Sequence, residues 1–171
     1  MYANSGFWLE YLRHFSKFKI HLVDLDYFDL DDEMSEFRAF LHSQVNDCSD
    51  MILIGHSYGA HFVDVFSFFH EEKIKKVGIN PGHLGLNKKN GAFLMRVKET
   101  YGLDIRTIEE DLDIAYRQID KYKMKKSTLD VILTADNDEY FDFSNLAGRY
   151  DFCGDHYAID HGLKRLFQFL D

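Results

Sequence analysis

Short, nearly all-apolar runs alternate along the chain with longer stretches whose apolar residues recur every three or four positions. The first periodic stretch predicts a helix over 6–15, where Phe7, Trp8, Tyr11, Leu12 and Phe15 share a face. KIHLVDL (19–25) follows as a buried strand. DDEMSEFRAFLHSQV (31–45) reads as an amphipathic helix, with acidic residues in the first turn where they suit the helix dipole. The pattern then repeats: strand MILIG (51–55), a helix over 56–73, and strand IKKVGIN (74–80). Later, LDVILTA (129–135) and a weaker RYDFC (149–153) predict strands, and HGLKRLFQFL (161–170) predicts a helix. Apolar strands alternating with helices imply an α/β fold, a mostly parallel sheet covered by helices on both faces.

Between Asn80 and Ser127 the alternation stops. No strand is predicted there, only helical patterns around 92–100 and 107–121. Residues 83–128 carry a net charge of +3 in a chain of −9, so the rest carries −12. The expected organisation is a core built from 1–82 and 128–171, with 83–127 inserted as a helical cap over the carboxyl edge of the sheet.

Composition narrows the function classes. The 171 residues are 46% hydrophobic and 16% aromatic, enough for one well-filled domain and incompatible with disorder. The negative charge argues against nucleic-acid binding, which depends on cations matched to phosphates. Two cysteines, Cys48 and Cys153, supply neither a disulfide framework nor a four-cysteine zinc site. No apolar run reaches the ~20 residues that span a bilayer, and the first residues carry no signal-peptide core. The expectation is an acidic cytoplasmic domain that neither enters a membrane nor binds nucleic acid.

The motif with chemical content is Gly55-His56-Ser57-Tyr58-Gly59, a G-x-S-x-G directly after a buried strand and directly before a helix. That is the context of a nucleophile elbow, in which the serine sits on a sharp, strained turn with its oxygen clear of the sheet. Glycine is expected at both flanks because side chains there would collide. The helix N-terminus turns N–H groups and a positive dipole end toward a developing oxyanion. Serine at its ordinary pKa is a weak nucleophile and needs a base, itself oriented by an acid. On this kind of sheet the chain order is Ser, then acid, then His. The loop after 129–135 offers Asp136 and Asp138; spacing favours Asp138, leaving Asp136 as a turn-former. After 149–153 come His156 and His161. Gly154 gives the first freedom to reach the serine, and the second falls where the last helix begins, which suggests capping. The remaining histidines, His14, His21, His42, His56, His61, His70 and His83, are expected to pack or face solvent, with His56 supporting the elbow. No metal-ligand spacing, G-x-G-x-x-G or P-loop pattern is present, so no cofactor is expected.

These residues resemble the α/β-hydrolase superfamily, and within it the biotin-pathway esterases that cleave the methyl ester of pimeloyl-acyl carrier protein. Four stretches carry the resemblance over most of the chain outside the cap: FWLEYLRHFSKFKIHLVDLDYF, IGHSYGA, TADND and GDHYAIDH. It implies Ser57 as nucleophile, Asp138 as acid, His156 as base and the Tyr58 N–H as one oxyanion donor. Such enzymes take a second donor from an H-G-[aromatic]-G loop ahead of the first helix, after a strand in the sheet interior. Met1 stands where that loop should be ending, so the natural start is expected about 15–20 residues upstream, the length of one strand and a loop. The cap is also shorter than the family's. Its positive charge suits an acidic carrier, with Lys88, Lys89, Arg96 and Lys98, or Arg117, Lys121, Lys123, Lys125 and Lys126, as candidate contacts.

The sequence therefore points to a serine carboxylesterase acting on an acyl-carrier ester. Alternatives are a broad short-chain esterase, a thioesterase, or a non-catalytic module of the same fold that binds an acyl group or a protein.

Overall fold

The computed structural model describes residues 19–23, 29–44, 50–67, 73–87, 95–96, 98–99, 102, 104–122 and 126–168. The helix expected over 6–15 lies outside them. Helix α1 (Leu30–Gln44) begins as expected. Asp29 Oδ1 accepts from the Asp32 N–H at 3.2 Å, an N-cap, and Asp31, Asp32 and Glu33 fill the first turn. Then come β1 (Met51–His56), α2 (Tyr58–Val65), β2 (Ile74–Ile79), the two-residue β3 (Leu86–Asn87) and α3 (Ile105–Lys121). The chain continues through β4 (Val131–Ala135), β5 (Phe141–Asp142), β6 (Arg149–Phe152) and α4 (Ile159–Phe167).

Strands β1, β2, β4 and β6 form one parallel sheet in the order β1-β2-β4-β6, and β3 pairs antiparallel with β5 beside it. The parallel α/β architecture expected from the alternating pattern is present. In β1 the side chains alternate: Met51 and Leu53 meet α1 and α2, whereas Ile52 and Ile54 pack on the opposite cluster. That second cluster joins Val77, Ile79, Leu133 and Phe152 of the sheet to Leu163 and Leu166 of α4. On the first face Phe37 of α1 lies edge-on to Phe62 and Phe66, with centroids 5.5 and 5.0 Å away. Helices therefore cover both faces. Among the described residues no helix is long and apolar enough to cross a membrane.

Three expectations about elements need correction. Residues 19–23 form no strand: Leu22 packs against the core, but Ile20 and Val23 are exposed. A strand requires a neighbour about 4.8 Å away, and among the described residues the outer edge of β1 has no ladder partner. Helix α2 stops at Val65 instead of running to 73; Phe66 turns extended (φ −67°, ψ 128°), its ring fully buried and its carbonyl accepting from the buried Lys76 ammonium. The stretch expected to hold no strand supplies β3, which ties residues 86–87 to the loop after β4. The helix expected over 107–121 is α3, and residues 95–96 and 98–99 are helical within the other helix expected there.

Candidate active site

The register brings His56, Ile79 and Leu133 level across the sheet, with Tyr150 beside Leu133. The loops leaving β1, β2, β4 and β6 therefore meet along one carboxyl edge, where parallel sheets gather functional groups. Ser57 leaves β1, Asn80 leaves β2, Asp138 follows β4 and His156 follows β6.

Ser57 has φ 54° and ψ −114°, a conformation rarely occupied outside glycine. Its N–H donates to Ile79 O at 2.9 Å, and its carbonyl accepts from the Ala60 N–H at 3.2 Å. A Cβ on Gly55 would stand 2.2 Å from Gly59 O and 2.5 Å from Ala60 N, so the turn can close only over a glycine there. Gly59 differs from expectation: a Cβ on it meets nothing within 4 Å, so no collision demands that glycine. Tyr58 opens α2, and its N–H belongs to the first turn, whose N–H groups point out of the helix end beside the serine.

Asp138 and His156 are each 2% exposed and joined by a hydrogen bond of 2.6 Å between His156 Nδ1 and Asp138 Oδ2. The other carboxylate oxygen accepts from the Tyr140 and Phe141 N–H groups at 2.8 and 2.9 Å. Burial alone would raise the pKa of Asp138, but the bond from His156 and these two N–H groups hold it below the usual carboxylate value. An ionised Asp138 can only accept, so His156 carries its proton on Nδ1 and presents Nε2 as the basic nitrogen. The imidazole is boxed by aromatic rings: Tyr140 at 4.9 Å, Phe141 at 5.7 Å and Tyr157 at 5.2 Å between centroids. Ser57 Oγ makes no hydrogen bond to the imidazole in this structure; such contacts are commonly long before substrate arrives.

The rival residues have other partners. Asp136 is exposed and lies in the turn after β4, as expected, and it also accepts from the Gly154 N–H at 3.0 Å, tying its loop to the histidine loop. His161 does not cap α4, which starts at Ile159 with no side-chain cap; its Nδ1 bonds the Cys153 carbonyl. His56 donates from Nε2 to the His156 carbonyl at 2.8 Å.

The basic candidates separate. Lys88, Lys89, Lys123 and Lys125 lie outside the described residues. Arg96 is exposed with its guanidinium 5.2 Å from the Tyr157 ring centre, next to His156. Lys98, Arg117 and Lys126 are exposed. Arg117 Nε donates to Asp113 O within its own helix, and Lys121 pairs with Asp31 of α1. Met1 to Ser5, the residues in this chain that could supply a second oxyanion donor instead of the expected upstream loop, lie outside the described residues.

Residues that sequence reasoning passed over include Asn80 and a second buried Asp–His pair. His83 Nε2 lies 2.8 Å from Asp64 Oδ2, with His61 edge-on to His83 at 4.8 Å. The only sequence signal for Asn80 was a polar residue closing an apolar strand. Among the described residues no three His, Cys, Asp or Glu side chains converge to hold a metal ion. A cleft of about 220 Å³ beside the acid loop is lined by Thr134, Asp136, Asp138, Asp142, Arg149 and Asp151 among others, but not by Ser57 or His156. Its carboxylates make it a poor seat for an ester carbonyl. Compared with known proteins, the chain matches no family model, no curated protein and no solved structure.

Proposed function

We propose that the chain is a serine carboxylesterase of the α/β-hydrolase type, with Ser57 as nucleophile, His156 as general base and Asp138 as the acid that orients it. The observation that carries this reading is the buried Asp138–His156 bond at the same sheet edge as a serine strained onto a strand-to-helix turn. A bent backbone at Ser57 and a desolvated carboxylate under an imidazole are each costly, and catalysis gives both a use.

In the mechanism, His156 Nε2 takes the Ser57 proton as Oγ attacks the ester carbonyl. Asp138 keeps the ring in the Nδ1–H tautomer and stabilises the imidazolium. The Tyr58 N–H at the head of α2 stabilises the oxyanion. His156 then protonates the leaving alcohol, and water repeats the sequence to release the acid. The substrate proposed is the methyl ester of pimeloyl-acyl carrier protein, in the cytoplasm. The resemblance of the motifs supports it, as does the Arg96 guanidinium over Tyr157, beside the base.

Intact-mass spectrometry after fluorophosphonate treatment tests the reading. One adduct on the wild type and none on Ser57→Ala is expected. No adduct on folded wild type, or an adduct that survives in Ser57→Ala, would overturn it in favour of a binding module.

A further inference from the structure

We propose that Asn80 is the positioning residue of this site, aligning the histidine loop with the nucleophile turn and the acid strand; the inference rests on the esterase reading. Asn80 is completely buried at the end of β2, the strand between those bearing the serine and the acid. It is also one of two non-glycine residues with positive φ among those described, at 47°; the other is Ser57. Asparagine tolerates that region better than most residues, yet it still costs free energy.

The bonds at Asn80 give that conformation a purpose. Its N–H donates to Leu133 O at 2.8 Å, and its Oδ1 accepts from the Ala135 N–H at 2.7 Å, so both ends of the residue grip β4. Its Nδ2 donates to the His156 carbonyl at 2.8 Å. The preceding carbonyl, Ile79 O, accepts from the Ser57 N–H. Asn80 therefore touches the backbone of the acid strand and the histidine loop, and the carbonyl just before it holds the serine turn. The amide orientation is forced, because a backbone N–H must meet Oδ1 and a carbonyl must meet the amine.

A second donor works with it. A carbonyl can only accept, so His56 Nε2 carries the proton in its bond to His156 O, and His56 is the residue before the serine. Its ring stands 4.9 Å from the His156 ring, and burial followed by the charge of a protonated His156 lowers its pKa to about 3. His56 thus stays neutral and donates throughout the working range. Two donors hold the His156 carbonyl, while Asp138 and the surrounding aromatic rings set the imidazole.

The test uses Asn80→Gly, which accepts φ 47° without strain while deleting the amide, and Asn80→Asp, which keeps the shape. The probes are the downfield proton NMR signal of the His156 Nδ1–H and the rate of fluorophosphonate labelling. For Asn80→Gly with native circular dichroism, the resonance should shift or vanish and labelling should slow by about tenfold to a hundredfold. Asn80→Asp should keep the resonance while its buried carboxyl is protonated and can donate, and lose it as pH rises and the carboxyl ionises. An unchanged resonance and labelling within twofold of wild type in Asn80→Gly would overturn the inference. If Asn80→Gly does not fold, an Asn80→Asp resonance that follows the wild-type pH course would overturn it instead. Absence of the resonance from wild type would remove its basis. A wild type that shows the resonance, loses it in Asn80→Gly and never labels would retain the positioning role and defeat the esterase reading alone.

Discussion

Gly55 is what allows Ser57 to hold its strained backbone. The atoms a methyl would meet there are backbone atoms of Gly59 and Ala60, with no flexible end to yield. Gly55→Ala should cost more than about 3 kcal/mol, read as a fall in urea midpoint. Gly59→Ala faces open space inside α2 and should be neutral or stabilising by up to about 1 kcal/mol. His61 makes a separate prediction. It is 2% exposed, its ring nitrogens have no hydrogen-bond partner, and burial, reinforced by His83, lowers its pKa from 6.5 to about 4. Between those values the unfolded chain binds a proton that the folded one refuses, so stability falls as pH falls. His61→Leu should flatten that slope by up to about 1.4 kcal/mol per pH unit, measured by urea unfolding from pH 6.5 to 4. At this scale the acid and base candidates were legible because each follows a readable strand. Asn80 was not, since its partners Ala135 and His156 lie 55 and 76 positions away.

Among the elements, Asp64 on α2 joins both stems of the inserted segment. One carboxylate oxygen meets His83 at 2.8 Å, and the other accepts from the Thr128 N–H at 2.6 Å. Burial would raise its pKa, but bonds from His83, Thr128 and Ser127 lower it, so the carboxylate is charged when it does this. Asp64→Ala takes the shared acceptor from these partly buried donors and should cost about 1–3 kcal/mol. Hydrogen exchange should quicken at 83–87 and 127–129 more than in the sheet. The apolar runs gave β1, β2 and β4 because largely covered parallel strands need no partner information to be recognised, whereas the rim strand β6, with Tyr150 and Asp151 exposed, left the weaker signal. The end of α2 was unreadable for the opposite reason: VFSFFHEEK has no helix breaker, and the extended Phe66 gives its carbonyl to the Lys76 ammonium on a different strand. The ladder of β3 with β5 is only two residues long, too short to leave a pattern.

Across the whole molecule, charge is divided unevenly: residues 83–128 are net positive on a body of opposite sign. If an acidic carrier docks on that segment, kcat/KM for a carrier-linked ester should fall between low and moderate salt, while a small soluble ester should show little change. Equal salt dependence for the two substrates would remove the carrier from the proposal. Arg96→Glu should lower the carrier rate selectively, whereas Lys121→Glu, already paired with Asp31, should act mainly on stability. Among the described residues β6, which leads to His156, the proposed base, is a rim strand, as β1 is; its four residues are held by β4 on one side and by a side-chain tie from Thr134 to Asp151. A rim strand is the first to fray. As denaturant rises, fraying at either rim should part His156 from Ser57 while β2 and β4 stay paired. Silencing would then precede melting, and the molecule would lose its reactivity before it exposes its core.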